Sequence, residues 1–129
     1  MPLIRLDVTE AYDTKEVTQI LDIIHRQVVA AFHVPEGDRY QIVTRHKEDE
    51  MILEDTGLGF ERTARRLSIQ VFSRARDESG KVAFYQGVTR DLEAELGIEG
   101  REILFSIFEN GDADWSFGFG KAQFLTGEL

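Results

Sequence analysis

RLSIQVFSRARDESGKVAFYQGVTRDLEAELGIEGREILFSIFE, residues 66–109, carries the plan of the fold. RLSIQVFSR (66–74) has the composition of a strand, the stretch after it sets Val82, Tyr85, Val88, Leu92 and Leu96 on one helical face, and EILFSIFE (102–109) is a strand again. Two strands joined by a helix of this length make a βαβ unit, with parallel strands and a right-handed crossover.

The same order stands upstream. LIRLDV (3–8) reads as a strand, and RYQIVTRH (39–46) as the next one. Between them Val17, Ile20, Leu21, Ile24, Val28, Ala31 and Phe32 fall at helical spacing, with an Asp13/Glu16 capping box ahead and Pro35 just beyond. Laying Asp13 on Asp77 aligns the helices through Ala30 on Ala94 to Val34 on Ile98, while the first strands fit one residue further along, Ile4 on Ile69 and Leu6 on Val71. This is a tandem βαβ repeat. The expected fold is therefore α/β (α+β): repeats at about 2–46 and 66–109 in one domain spanning 1–129, forming a four-stranded sheet with two helices on one face. Short hairpins complete it: MILEDTGLGFERT (51–63) reads as a loop or hairpin, and the tail 110–129, with its Asn-Gly turn, as a hairpin. Ile103, Phe105 and Ile107 alternate with Leu104, Ser106 and Phe108, so both faces of the last strand are largely apolar. Two helices cover one face only, and a partner subunit is the expected cover for the other.

Composition narrows the function classes. The 129 residues are 42% hydrophobic and 30% charged, ordinary for a water-soluble domain, with no apolar run long enough for a membrane span and no signal-peptide pattern. The expected compartment is the cytoplasm. Without cysteine there is no disulfide, thiolate nucleophile or cysteine metal site, and a formal net charge of −9 argues against non-specific nucleic-acid binding. A small anionic substrate remains compatible where arginines are focused locally.

Few residues offer chemistry. Pro2 follows the initiator methionine, and removal of Met1 would leave it a free secondary amine at the head of a strand; Met-Pro also occurs for reasons of processing alone. In SRAR (73–76), Arg74 and Arg76 stand at alternate positions at a strand end, where a guanidinium pair can hold a carboxylate, although terminal arginines are commonly solvated. Asp38, in GDRYQ, is a turn aspartate or an orienting carboxylate. Trp115, Phe117, Phe119 and Phe124 interleave with glycine, as core cover or as an apolar wall. His25, His33 and His46 have no metal-ligand spacing, the acidic run at 48–50 reads as a solvated loop, and GLGF (57–60) lacks the strand-turn-helix setting of a phosphate loop.

Pro2, the repeat and the arginine pair together resemble the tautomerase superfamily, whose members use an amino-terminal proline. Within it the match is to the malonate semialdehyde decarboxylase group and its tautomerase-like relatives, through PLIRLD, DRYQIV, LEDTGLGF, SRAR and ENGDADWSFGFGKAQFLTGEL. The resemblance implies a homotrimer without metal or organic cofactor. It implies Pro2 as the catalytic amine, Asp38 as its carboxylate partner, Arg74 and Arg76 as binders of the substrate carboxylate, and Trp115, Phe117, Phe124 and Leu129 as a hydrophobic wall. The implied activity is decarboxylation of a small 3-oxo acid, with hydratase or tautomerase side activity. The alternatives are keto-enol tautomerisation of a phenylpyruvate-like 2-oxo acid, with Pro2 as general base, and a trimeric binding module.

Overall fold

The computed structural model describes residues 1–129. Four strands, β1 (Leu3–Thr9), β2 (Tyr40–His46), β3 (Leu67–Arg74) and β4 (Ile103–Asn110), form one sheet in the order β2-β1-β3-β4. β1 and β2 are parallel, as are β3 and β4, and the two units meet antiparallel through β1 and β3, with Leu6 opposite Ile69 and Ile4 opposite Val71. The repeat is thus real in three dimensions, its halves related by an approximate twofold between the central strands.

The two long helices, α1 (Thr14–Phe32) and α2 (Glu78–Leu96), are each 19 residues. Each begins on an aspartate N-cap, Asp13 accepting from the Glu16 amide and Asp77 from the Gly80 amide, and each ends on a left-handed residue, His33 and Gly97. Such caps satisfy amides and carbonyls that a helix end leaves without partners. The core lies between the helices and one sheet face: Ile4, Leu6 and Val8 of β1 and Leu67, Ile69 and Val71 of β3 are all but inaccessible, packed against Ile20, Ile24, Val28, Phe84, Val88 and Leu92.

The helix faces differ from the expected ones in detail. In α1, Leu21 and Ala31 are half-buried while Ile23, His25 and Gln27 join the buried set; in α2, Val82 is exposed and Phe84 and Gly87 point inward. The physical reason is helix-on-helix contact. Gly87 has no side chain where Gln27 of α1 lies, and a Cβ there would stand 2.2 Å from Gln27 Oε1.

Of the loop or hairpin expected at 51–63 the chain takes the loop, and the hairpin expected of the tail does not form. Between β2 and β3 the chain runs as an irregular loop whose polar groups are met by side chains. Asp55 accepts from the amides of Gly57, Gly59 and Phe60, Arg66 donates to the carbonyls of Glu48, Met51 and Thr63, and Arg62 to those of Glu54 and Arg101. In the tail, a 3-10 turn at Asp112–Asp114 and a one-turn helix, α3 (Gln123–Thr126), replace the hairpin. Gly118, Phe119 and Gly120 all have positive φ, which breaks an extended strand. Gln123 then takes the place of a partner strand, accepting from the Phe117 amide and donating to the Gly118 carbonyl, both at 3.0 Å.

The second sheet face carries Tyr40, Leu3, Phe72 and Phe108 in one row across all four strands, with the rings of Phe72 and Phe108 stacked 4.8 Å apart. Beside that row is a polar patch in which Asp7 meets His46 Nε2 at 2.6 Å and the Gln70 amide at 2.8 Å. Tyr40, Ile42, Leu104 and Phe108 on this face are exposed.

Candidate active site

A cavity of about 710 Å³ opens where the start of β1, the turn before β2, the end of β3 and the tail converge. The turn is built locally. His33 ends α1 in the left-handed region, Pro35 follows, and the Asp38 amide closes back on the Pro35 carbonyl at 3.0 Å. This brings the Asp38 carboxylate over the head of β1, where the Met1 ammonium donates to it in a largely buried ion pair. Burial draws the Met1 amine below its ordinary pKa; Asp38 opposes that shift, while Arg76 and Arg74 add to it.

The arginines arrive from the other side. Arg74 ends β3, its guanidinium 3.9 Å above the centre of the Phe124 ring and bonded through Nη1 to Asp112 at 3.0 Å. Arg76 is anchored by Nε to Ser73 Oγ at 3.0 Å and by Nη1 to the Phe32 carbonyl at 3.2 Å. Burial first, and the charge of Arg74 second, lower the Arg76 pKa, with Asp38 opposing. An arginine stays charged through such a shift. Two guanidiniums and an amine thus line the cavity together with the carboxylates of Asp38 and Glu128, and the adjacent guanidiniums concentrate positive charge at one end of it in a chain of net charge −9. An arrangement of this kind binds a small carboxylate and holds an amine beside it.

Of the residues expected at the site, Asp38, Arg74, Arg76, Phe117, Phe124 and Leu129 line the cavity. Trp115 does not; it stacks behind Phe117 at 5.4 Å, its indole N–H held by Asn110 at 2.8 Å, so it supports the wall rather than forming its surface. Pro2 is buried directly behind Met1, which itself lines the cavity. The structure adds residues that the sequence reading missed: Tyr40, whose ring lies 5.6 Å from that of Phe117, Gln123, and the loop from His33 to Pro35. Tyr40 stood two residues from Asp38 in the same turn-to-strand segment, the spacing that puts side chains on one side of an extended chain. Gln123 gave no such signal, since its contacts depend on how the tail folds. His25 and His46 lie elsewhere, against the Glu36 carbonyl and Asp7 respectively.

The chain is similar to known proteins over its length. The family described as "Tautomerase enzyme" matches residues 38–118. "Probable tautomerase YrdN" of Bacillus subtilis (strain 168) is 50% identical over 129 residues, all of both chains. Among solved structures, a malonate semialdehyde decarboxylase studied for its decarboxylase and hydratase activities is 44% identical, with a TM-score of 0.94 over 98% of each chain. A second malonate semialdehyde decarboxylase, inhibited by 3-bromopropiolate, is 39% identical, with a TM-score of 0.93 over 98% of this chain and 97% of its own.

Proposed function

The chain belongs to the tautomerase family, and from that premise we propose that it is a cofactor-independent decarboxylase of small 3-oxo acids, similar to malonate semialdehyde decarboxylase, with Pro2 as its working amine once Met1 is removed. The observation that carries this reading is the convergence of Arg74, Arg76, Asp38 and the chain's amino terminus on one cavity.

In the proposed reaction Arg74 and Arg76 hold the substrate carboxylate in their forked N–H groups. Pro2 acts on the 3-oxo carbonyl in one of two ways. Protonated, it donates a hydrogen bond to the carbonyl oxygen; neutral, it adds to the carbonyl carbon and loses water to form an iminium. Either makes that carbon an electron sink. The bond to the carboxylate then breaks, its electron pair moves toward the sink to give an enol or enamine, and carbon dioxide leaves. The carbon left behind takes a proton, and water releases the product from an iminium. The apolar wall of Phe117, Phe124 and Leu129 assists because negative charge on the carboxylate disperses as the bond breaks. Asp38 partners the amine, offsetting the two arginines.

A second reading has its own support. The cavity lowers the pKa of the terminal amine it holds, and a neutral Pro2 in that environment is a general base suited to keto-enol tautomerisation of an arylpyruvate-like 2-oxo acid. The experiment is proton NMR of malonate semialdehyde and phenylenolpyruvate with protein shown by intact mass to lack Met1, beside Pro2→Ala. Acetaldehyde formed only with Pro2 present supports the decarboxylase, and ketonisation without decarboxylation selects the tautomerase. Silence toward both makes Pro2 a structural residue, as in a trimeric binding module, or the substrate an acid other than these two.

A further inference from the structure

The cavity wall is a continuous series of flat groups. The Arg74 guanidinium covers the Phe124 ring, Phe124 meets Phe117 edge-on at 5.4 Å and 87°, and Phe117 lies against Tyr40 at 5.6 Å with 34° between their planes. A three-carbon oxo acid anchored on the arginines extends only about 4 Å beyond its carboxylate carbon. That length engages the near part of the wall and does not extend to its far end at Tyr40. The cavity, at about 710 Å³, lies within the range of sites that enclose ligands far larger than three carbons. Tyr40 is 41% exposed, with its ring tilted against that of Phe117. It lines the cavity from the first position of β2, beside the uncovered sheet face.

From this series we infer that the substrate is a 3-oxo acid bearing an aryl group on its carbonyl carbon, and that Tyr40, with Phe117, forms the subsite that selects it. The inference rests on the decarboxylase reading for the reaction and on the ring geometry for the substituent. With the carboxylate on Arg74 and Arg76 and the carbonyl near the amine, an aryl group on the far side of the carbonyl points along the wall toward Phe117 and Tyr40. Aromatic rings in offset or tilted contact gain from each other beyond the area they bury. The bond that breaks and the proton taken up are those of the proposed reaction, and benzoylacetate would give acetophenone and carbon dioxide.

Two measurements on Met1-free protein separate the subsite from the chemistry. The first is kcat/KM for benzoylacetate and malonate semialdehyde with wild type, Tyr40→Ala and Tyr40→Phe. The second is calorimetric affinity for the unreactive 3-phenylpropanoate against propanoate. The expected result is at least a tenfold preference for the aryl compound in both, a preference that falls about tenfold in Tyr40→Ala and persists in Tyr40→Phe. Turnover of malonate semialdehyde with no aryl preference in rate or affinity overturns the subsite and spares the decarboxylase. Aryl-selective binding that depends on Tyr40, without decarboxylation of either acid, sustains the subsite and overturns the reaction.

Discussion

Arg76 illustrates how a residue can belong to the scaffold and the site together. Its Nε and Nη1 are committed to Ser73 and to the Phe32 carbonyl at the end of α1, while its Nη2 end has no partner in the chain and the residue faces the cavity. Arg76→Ala is expected to lower kcat/KM on a carboxylate substrate at least a hundredfold and to cost about 1 kcal/mol of stability through the lost hydrogen bonds. Arg76→Lys should recover little turnover, because an ammonium lacks the fork. Steady-state kinetics beside a thermal melt will check this, and near-normal turnover by the alanine variant would remove Arg76 from the site. At this scale the sequence was informative wherever the signal was local. SRAR could be read because alternate positions at a strand end share a direction, whereas Asp38 read equally as a turn aspartate until the family resemblance gave it a place beside the amine. Trp115 was misplaced by one layer, since aromatics interleaved with glycine do not reveal which ring faces the cavity and which lies behind it.

The helices were legible because their caps and spacing are local, and their mutual packing was not. Gly87 faces α1 and carries no hydropathy to announce it, so the inward face of α2 was read around Val82 and Tyr85 when Phe84 is the fully buried ring. The tail hairpin failed for a related reason: its glycines advertise turns, but the Gln123 side chain meets the backbone that a partner strand would have paired, while in the loop before β3 Asp55 acts locally and Arg62 and Arg66 reach carbonyls far along the chain. The contact between the helices also yields a pH prediction. Asp91 of α2 accepts from Arg90, Arg26 and Gln27, and Arg90 foremost brings its carboxyl down from 3.8 to about 2. A carboxyl lowered on folding stabilises the protein above its unfolded pKa and loses that contribution as the pH falls through the folded one. Asp91→Asn should therefore cost about 1 kcal/mol near neutrality, the pair being partly solvated, with the gap from wild type closing toward pH 2. Thermal melts across that range will test it, and a gap that does not vary with pH would assign the whole effect to packing.

At the scale of the whole molecule, the two βαβ units leave one sheet face without helices, and its row of Tyr40, Leu3, Phe72 and Phe108 is a poor surface for water. The chain is expected to sediment as a homotrimer, with Phe108→Asp shifting it toward monomer; a wild-type monomer at micromolar concentration would refute the expectation. The repeat was legible in the offset between Asp13 and Asp77, whereas the order of the strands was not, because β1 and β3 pair residues 59 to 69 apart in sequence. The burial of Met1 has a temporal meaning as well. Only 5% of it is accessible and its ammonium is held by Asp38, so a peptidase meeting the finished fold has no free end to grip. Trimming should then be a race against folding on the ribosome, won or lost once for each molecule. A culture that synthesises the chain faster than it can be trimmed would accumulate two populations that do not interconvert. Methionine aminopeptidase added to folded Met1-bearing protein should leave its intact mass unchanged, and the same enzyme should shorten the chain after denaturation in a solvent it tolerates. Activity per milligram would then record how the protein was made as much as what it is.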